Sequence, residues 1–262
     1  MGDLWNAIIM GIVEGLTEFL PVSSTGHMIL TAELLQFTGD RAKTFEVVIQ
    51  FGAVLAVLIL YRKRFFKLLN FNVSKGSGLN AIHVLLALLP AGLFGVLLHG
   101  FIKDYLFSPA TVLIGLIAGG ILMIVAERVK RKTTAEELDD LSYKQAFAIG
   151  MFQVLALWPG FSRSGSTISG GMFFGASQKA AAEFTFIVSV PIMAGASGLD
   201  LIKSREFLTA ADLPLFLIGL VAAFTVATIA VVTFINAIKR LKLSWFAYYR
   251  FALAAVFAFI IW

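Results

Sequence analysis

Long runs of apolar residues, separated by short polar and basic segments, dominate the pattern along the chain. A helix needs about 20 apolar residues to cross a hydrocarbon core of about 30 Å. Runs close to that length predict membrane-spanning helices over residues 44–61, 81–102, 105–126, 180–201, 213–238 and 243–262. Two further apolar stretches, residues 4–36 and 143–175, are interrupted by proline and glycine and need a different interpretation.

Each interrupted stretch divides into two short helical pieces. The predicted pieces are residues 4–20, 25–36, 143–157 and 164–175. Pro21 in the first stretch, and Pro159 with Gly160 in the second, separate the pieces, because proline removes an amide donor and clashes with the preceding turn. Pieces of about 12 to 17 residues are too short to cross a bilayer comfortably. The pattern therefore predicts two re-entrant hairpins.

The two hairpins carry matching polar strings. The first reads E-G-L-T-E-F-L-P-V-S-S-T-G-H from Glu14 to His27, and the second reads Q-V-L-A-L-W-P-G-F-S-R-S-G-S-T from Gln153 to Thr167. Aligned without a gap, Ser23 corresponds to Ser162. A duplicated, broken hydrophobic segment indicates a polar site built at membrane depth.

The number of spans after each hairpin sets the topology. Three spans follow each hairpin, and because three is odd the second copy must enter the membrane from the opposite face. The sequence therefore predicts an all-α integral membrane protein with inverted-topology repeats, each half a re-entrant helical hairpin plus three transmembrane helices. The predicted halves are residues 1–132 and 143–262, joined by a polar linker at 133–142.

Composition agrees with a bilayer environment. Of 262 residues, 59% are hydrophobic and only 14% are charged, whereas soluble domains are about 45 to 50% apolar. The chain has no cysteine, which excludes disulfides, thiolate metal sites and thiol redox chemistry. Residues 4–20 lack a basic leader and a small-residue cleavage site, so we expect them to belong to the mature protein.

The net charge of +5 is better explained by the orientation of the protein in the membrane than by nucleic-acid binding, because the basic residues occupy short loops beside the spans. One side has the larger share: Arg62, Lys63, Arg64, Lys67, Lys75, Arg128, Lys130, Arg131, Lys132, Lys144, Lys239, Arg240 and Lys242. The other side has Arg41, Lys43, Lys103, Lys203 and Arg205. The first side is predicted to be cytoplasmic, which places both termini and the opening of the first hairpin outside. Tyr248 and Tyr249, near a segment end, are typical of an interfacial aromatic belt.

Two carboxylates in the first hairpin are candidates for chemistry. Glu14 and Glu18 are four residues apart and share one helix face. Carboxylates inside a membrane cost several kcal/mol unless they are paired, hydrated or bound to a cation. They predict a divalent cation site shared with substrate phosphates; the alternative is a pair of acids at a wet interface or satisfied by serines.

The first hairpin tip combines hydroxyls with a helix start. Its residues are Ser23, Ser24, Thr25 and Gly26, followed by His27. Serine and threonine are ordinary helix N-caps, but unpaired amides and the positive end of the helix dipole also form an anion site. His27 lies one turn after Ser24, which permits a nucleophile and base arrangement; the alternative is a histidine that serves packing alone.

The second tip adds a positive charge. It contains Ser162, Arg163, Ser164, Gly165, Ser166 and Thr167. The planar guanidinium of Arg163 binds phosphate oxygens in pairs, which predicts a phosphate clamp. The alternative is a structural ion pair with Glu14, Glu18 or Glu46, and the two roles can coexist if the acids hold Arg163 until substrate arrives. Together the tips offer what phosphoanhydride chemistry uses.

These strings resemble those of the undecaprenyl-diphosphate phosphatases of the bacitracin-resistance family. The segment K-T-F-E-V-V-I-Q from Lys43 to Gln50 and L-W-P-G-F-S-R-S-G-S-T-I-S-G-G from Leu157 to Gly171 extend the resemblance over essentially the whole chain. The resemblance implies a bacterial inner-membrane enzyme that converts undecaprenyl diphosphate to the monophosphate, recycles the carrier for peptidoglycan synthesis and deprives bacitracin of its target. It further implies a Mg²⁺ or Ca²⁺ requirement. Together with the outside opening of the first hairpin, it favours a site facing the periplasm or extracellular side, where used carrier diphosphate would be generated.

The predicted catalytic residues are Ser24, His27, Glu14, Glu18 and Arg163, with Glu14 and Glu18 also as metal ligands. The predicted substrate-binding residues are Ser23, Thr25, Gly26, Ser162, Ser164, Gly165, Ser166 and Thr167. Ser24 is the expected nucleophile, with His27 as its base or as the acid for the leaving group. Three alternatives stay open: attack by His27, attack by water with Glu18 as base, or phosphate binding alone by Ser24.

The predicted partners are a polyprenyl diphosphate lipid and membrane lipids, with no nucleic acid, and a homodimer is left open. The competing function is transport. Inverted repeats with broken helices recur in secondary transporters, so the chain could move an anion or flip a lipid phosphate. The set of acids, serine, histidine and arginine is richer than anion binding alone requires, which favours the enzyme.

Overall fold

The computed structural model describes residues 2–69, 78–106, 108–129, 131–204, 209 and 212–261, and within these residues every regular element is helical. The α-helices, numbered α1 to α12, are Gly2–Thr17, Ser24–Leu34, Asp40–Leu60, Arg62–Leu69, Ala81–Leu97, His99–Phe101, Pro109–Arg128, Tyr143–Gln153, Arg163–Phe173, Gln178–Ser204, Leu213–Ala237 and Leu243–Ile261. A π-helical segment spans Ile102–Leu106, and 3₁₀ turns span Leu138–Asp140 and Val154–Leu157.

Helices long and apolar enough to cross a membrane confirm the integral all-α class. They are Arg41–Leu60, Pro109–Arg128, Gln178–Gly198, Leu213–Ala237 and Leu243–Ile260. The span predicted over residues 81–102 is shorter in the structure: α5 ends at Leu97 after 17 residues and is followed by short helical turns. The span predicted from residue 105 begins at Pro109, because Ser108 caps α7 and proline fits the first turn of a helix.

The two interrupted stretches form paired short helices, α1 with α2 and α8 with α9. The second helix of each pair starts one residue earlier than predicted, at Ser24 and at Arg163. The residue before each start is a serine with a positive φ, 72° at Ser23 and 74° at Ser162. Each serine hydroxyl accepts a hydrogen bond from an amide in the first turn, so both helices are side-chain capped in the same way. The inverted repeat and its domain boundaries stay predictions.

Small residues let each hairpin pack closely against a long helix. Gly11 and Gly15 of α1 lie against α11, where a Cβ at Gly11 would overlap the carbonyl oxygen of Gly219. Gly150 of α8 lies against α5, where a Cβ would overlap the backbone of Ala87. Close approach through small residues is how membrane helices gain packing energy without a hydrophobic driving force.

Polar contacts define the two ends of the helix bundle. At one end, Arg64 of α4 pairs with Asp139 of the linker at 2.6 Å, and Gln178 at the start of α10 donates to the carbonyl of Leu241 at 3.3 Å. At the other end, Arg41 pairs with Asp212 at 2.6 Å. Lys75, Lys130 and Arg205, which the orientation prediction also used, lie outside the described residues.

Candidate active site

The tips of the two hairpins meet inside the bundle. The hydroxyl of Ser164 in the second tip donates to the carbonyl of Leu20 in the first at 2.8 Å. The guanidinium of Arg163 lies over the ring of Phe19, with 5.9 Å from its central carbon to the ring centroid. Residues far apart in the chain therefore form one polar cluster within apolar helices.

Glu18 links the two tips through both of its carboxylate oxygens. Oε2 accepts a hydrogen bond from the Ser24 hydroxyl at 2.6 Å, and Oε1 accepts one from Nη2 of Arg163 at 2.9 Å. The side chains of Arg163 and Glu18 are only 13% and 6% exposed, so little water screens the pair. Arg163 is held further by donating from Nη1 to the carbonyl of Thr185 at 3.2 Å. The two hydrogen bonds that the Glu18 carboxylate accepts have the lengths of charge-assisted hydrogen bonds.

His27 lies in the same tip but directs its ring elsewhere. Its Nδ1 is 2.8 Å from the carbonyl oxygen of Ser23, and its Nε2 is 2.7 Å from the hydroxyl of Tyr249. A carbonyl only accepts, so these partners assign the proton to Nδ1, and Nε2 of the neutral ring accepts from Tyr249. The hydrogen-bond acceptor for the Ser24 hydroxyl in this structure is therefore Glu18, and the role of His27 as base stays a prediction.

Glu14 lies one helical turn before Glu18 and is fully buried. Its two carboxylate oxygens have no hydrogen-bond partner among the described residues. The carboxylates and serine hydroxyls of the first tip are oxygen donors, the type that Mg²⁺ and Ca²⁺ prefer. In the described part of the chain no three His, Cys, Asp or Glu side chains group as metal ligands. Oxygen donors of this type suit a divalent cation, and the cation site at Glu14 and Glu18 stays a prediction.

A cavity of about 230 Å³ opens between the tips. Its polar wall consists of Glu18, Ser23, Ser24, Thr25, Ser162 and Arg163, together with Gln50 of α3. Its apolar wall includes Ala156, Ile192, Met193 and Ala196. A cavity that is charged on one side and apolar on the other suits an amphiphile with an anionic head.

The remaining predicted binding residues brace the tips. The amides of Gly26 and Gly165 donate to the hydroxyls of Ser23 and Ser162. The hydroxyl of Ser166 donates to the carbonyl of Ser162 at 2.9 Å. Thr167 donates to the carbonyl of Arg163 at 2.7 Å and accepts from the hydroxyl of Thr185. Ser164, Gly165, Ser166 and Thr167 thus hold the shape of the second tip, while Ser162 and Arg163 face the cavity.

Sequence reasoning missed several residues of this cluster. Tyr249 fitted an interfacial belt, but the structure places its hydroxyl on His27. Gln50, which lines the cavity, was noted only as part of a matching segment. The one available signal for Gln50 was an amide inside an otherwise apolar span. Nothing in the sequence near Tyr249 points to a partner in the first hairpin.

Comparisons with known proteins identify the family of the chain. The family model described as bacitracin resistance protein BacA matches residues 7–256. The proteins named undecaprenyl-diphosphatase 1 from Bacillus thuringiensis subsp. konkukian (strain 97-27) and from Bacillus anthracis are each 54% identical over 259 residues, covering 98% of both chains. Because the family model matches nearly the whole chain and these relatives are 54% identical to it, the chain belongs to the bacitracin resistance protein BacA family.

Proposed function

We propose that this protein hydrolyses undecaprenyl diphosphate to undecaprenyl phosphate and inorganic phosphate. The relatives named undecaprenyl-diphosphatase support the substrate. The observation that carries the chemistry is the carboxylate of Glu18 between a serine hydroxyl and a buried guanidinium. This activity recycles the lipid carrier for peptidoglycan synthesis and removes the diphosphate that bacitracin targets.

Phosphate binding comes first in the proposed reaction. The diphosphate enters the cavity between the tips, and its oxygens replace Glu18 as the acceptor for the guanidinium of Arg163. A planar guanidinium binds two phosphate oxygens at once. In a site shielded from water, this contact stabilises the negative charge that develops on the phosphate oxygens in the transition state. Loss of the ion pair leaves the Glu18 carboxylate free to accept a proton.

Ser24 then attacks the terminal phosphorus. Glu18 takes the proton from the Ser24 hydroxyl, the new bond forms from Oγ to phosphorus, and the phosphoanhydride bond breaks. The leaving group is undecaprenyl phosphate, which receives the proton from Glu18. A water molecule next attacks the phosphoserine with Glu18 as its base, and inorganic phosphate leaves as Ser24 regains its proton.

Glu14 and Glu18 would hold a divalent cation, Mg²⁺ or Ca²⁺, which when bound supplies charge neutralisation to the phosphate oxygens. The buried, unpartnered carboxylate of Glu14 supports this assignment. Glu14 then contributes by holding positive charge beside the cavity rather than by moving a proton.

The orientation is part of the proposal. The basic end of the bundle, where Arg64 meets Asp139, faces the cytoplasm, and both termini lie outside. The site then opens toward the outer leaflet, on the periplasmic side, where the diphosphate is generated.

Phosphate release from undecaprenyl diphosphate by the purified protein in detergent tests the proposed activity. Glu18→Gln and Arg163→Ala should each lower kcat by roughly 100-fold or more, because general bases and charge-stabilising groups contribute on that scale. Glu33→Gln and Arg240→Ala are matched controls on exposed side chains and should keep parental activity.

A contrary result would favour transport. The parent would then release no phosphate with Mg²⁺ or Ca²⁺ and yet move undecaprenyl phosphate across the bilayer of reconstituted vesicles. That pair of results would contradict the proposed hydrolysis and make lipid flipping the function. Detergent solution supports no gradient, so release there cannot come from transport.

A further inference from the structure

Helix α12 passes both hairpin tips and presents two consecutive polar residues to them. Tyr249 contacts the first tip and Arg250 contacts the second. Neither residue belongs to the polar strings that the hairpins share, and neither lines the cavity between the tips.

Arg250 is completely buried in the span. Its Nη2 donates to the carbonyl of Gly160 at 2.8 Å and to the carbonyl of Gly115 at 3.1 Å. Gly160 has a φ of 87° and lies two residues before Ser162, the cap of α9. The guanidinium therefore fixes the turn from which the second tip and Arg163 emerge. A buried arginine in a membrane span is costly, and such residues are rarely without a task.

Helix α7 leaves room for this contact. A Cβ at Gly119 would overlap both Nη2 of Arg250 and the carbonyl of Phe161. A Cβ at Gly115 would overlap the carbonyl of Pro159. The glycines of α7 thus form a groove that seats the guanidinium of Arg250 together with the turn it holds.

Tyr249 fixes the first tip through His27. Its hydroxyl donates to Nε2 of His27, and the two rings stack with centroids 5.6 Å apart and planes 6° from parallel. His27 in turn donates from Nδ1 to the carbonyl of Ser23, whose φ of 72° starts α2. Each of the two α12 residues therefore acts on a positive-φ turn at the base of a tip.

We infer that Tyr249 and Arg250 form an inter-tip clamp, a pair of positioning residues that hold the two tips at the separation where Glu18 reaches both Ser24 and Arg163. The expected effect of the clamp on kcat rests on the proposed function. The clamp acts through Ser23 and Gly160 and does not touch substrate. Because one rigid helix carries both residues, loss of either contact loosens the same inter-tip distance.

A double-mutant cycle on kcat tests the clamp. Tyr249→Phe keeps the stacked ring and removes the hydroxyl, and should lower kcat about 3- to 10-fold. Arg250→Lys keeps a cation, but its shorter side chain cannot place a donor where Nη2 of Arg250 meets the carbonyls of Gly160 and Gly115, so it should lower kcat about 10-fold or more. KM should change little in both, because the substrate contacts are intact while their alignment is lost.

The double variant distinguishes a clamp from two separate contacts. Once one contact is lost the tips are already loose, so the second loss should cost at least about threefold less than it does alone. Losses that simply multiply, or single variants that match the parent, would overturn the inference. Tyr248→Phe, on the neighbouring residue whose ring contacts Phe251, is the matched control and should match the parent.

A distance measurement tests the clamp without activity. The chain has no cysteine, so nitroxide labels at Leu34→Cys on α2 and Phe174→Cys after α9 would be unique, and both positions are exposed. We expect a narrow distance distribution in the parent and a broader or longer one with Tyr249→Phe or Arg250→Lys. An unchanged distribution would refute the clamp, whereas a parent that releases no phosphate would refute only the proposed function.

Discussion

The chemistry proposed for Ser24 depends on which group accepts the proton of its hydroxyl. Spacing along the first tip made His27 the expected base, since the two residues lie one turn apart. In the structure the Ser24 hydroxyl donates to Glu18 at 2.6 Å, and the two ring nitrogens of His27 contact Ser23 and Tyr249, so the role of His27 as base stays a prediction. A carboxylate six residues earlier reaches the serine because the chain reverses at Pro21 between α1 and α2.

Replacing Ser24, the proposed nucleophile, tests its role directly. Ser24→Ala should lower kcat by about 100-fold to 10,000-fold and abolish any phosphoenzyme, because the residual rate comes from binding alone. The measurement is acid quench of a reaction with radiolabelled terminal phosphate, followed by peptide mass spectrometry. Ser189→Ala is the control, because the Ser189 hydroxyl donates to the carbonyl of Phe186 in its own helix.

Two outcomes would contradict this assignment. Near-parental turnover of Ser24→Ala would make the serine a phosphate ligand at most and leave water as the attacking group, with Glu18 as its base. Label found on His27 would transfer the nucleophile role to the imidazole.

The two pairs of short helices could be predicted because the breaks between them are local in the sequence. Pro21 and the pair Pro159 and Gly160 interrupt apolar runs, and a serine follows each break as a cap. The end of α5 could not be predicted in the same way, since the apolar pattern continues past Leu97 while the α-helix stops there. A hydrophobic pattern indicates which residues can contact lipid or the protein interior, but it does not indicate where a helix ends.

Contacts between distant elements explain which site residues escaped prediction. Glu18, Ser24 and Arg163 belong to short motifs whose residue types already indicate phosphate chemistry. Arg250 and Tyr249 gain their partners only when α12 packs beside α7 and the tips. That packing depends on glycines of another helix, so no local pattern around either residue reveals it.

The glycine groove of α7 yields a prediction of its own. Gly119→Ala places a methyl group where the guanidinium of Arg250 and the carbonyl of Phe161 lie, so it should destabilise the protein by about 1 to 3 kcal/mol and lower phosphate release. Gly92→Ala on α5 meets nothing within 4 Å and should stabilise by about 0.5 to 1 kcal/mol through helix propensity. Thermal unfolding in detergent compares the two. Equal stability of both variants would mean that the groove is not tightly packed.

Across the bundle, the polar linker joins helices at one end. Arg64 of α4 and the amide of Leu79 both donate to Asp139. Partial burial alone would raise the pKa of Asp139, but these hydrogen bonds and the nearby guanidinium lower it below its ordinary value. Lys179 of α10 pairs with Glu137 of the same linker. The linker therefore connects elements of both predicted halves at the end that carries most of the basic residues.

The orientation proposed for the bundle from that asymmetry can be measured on intact cells. Because the parent has no cysteine, single substitutions give labelling without background. Leu34→Cys, at the exposed end of α2, should react with a membrane-impermeant maleimide added outside; outer membranes, where present, are first made permeable. Lys63→Cys on α4 should react only after the inner membrane is opened, because positively charged loops are retained in the cytoplasm. The reverse labelling pattern would show that the first hairpin opens toward the cytoplasm. The site would then meet diphosphate newly made inside the cell rather than carrier released outside.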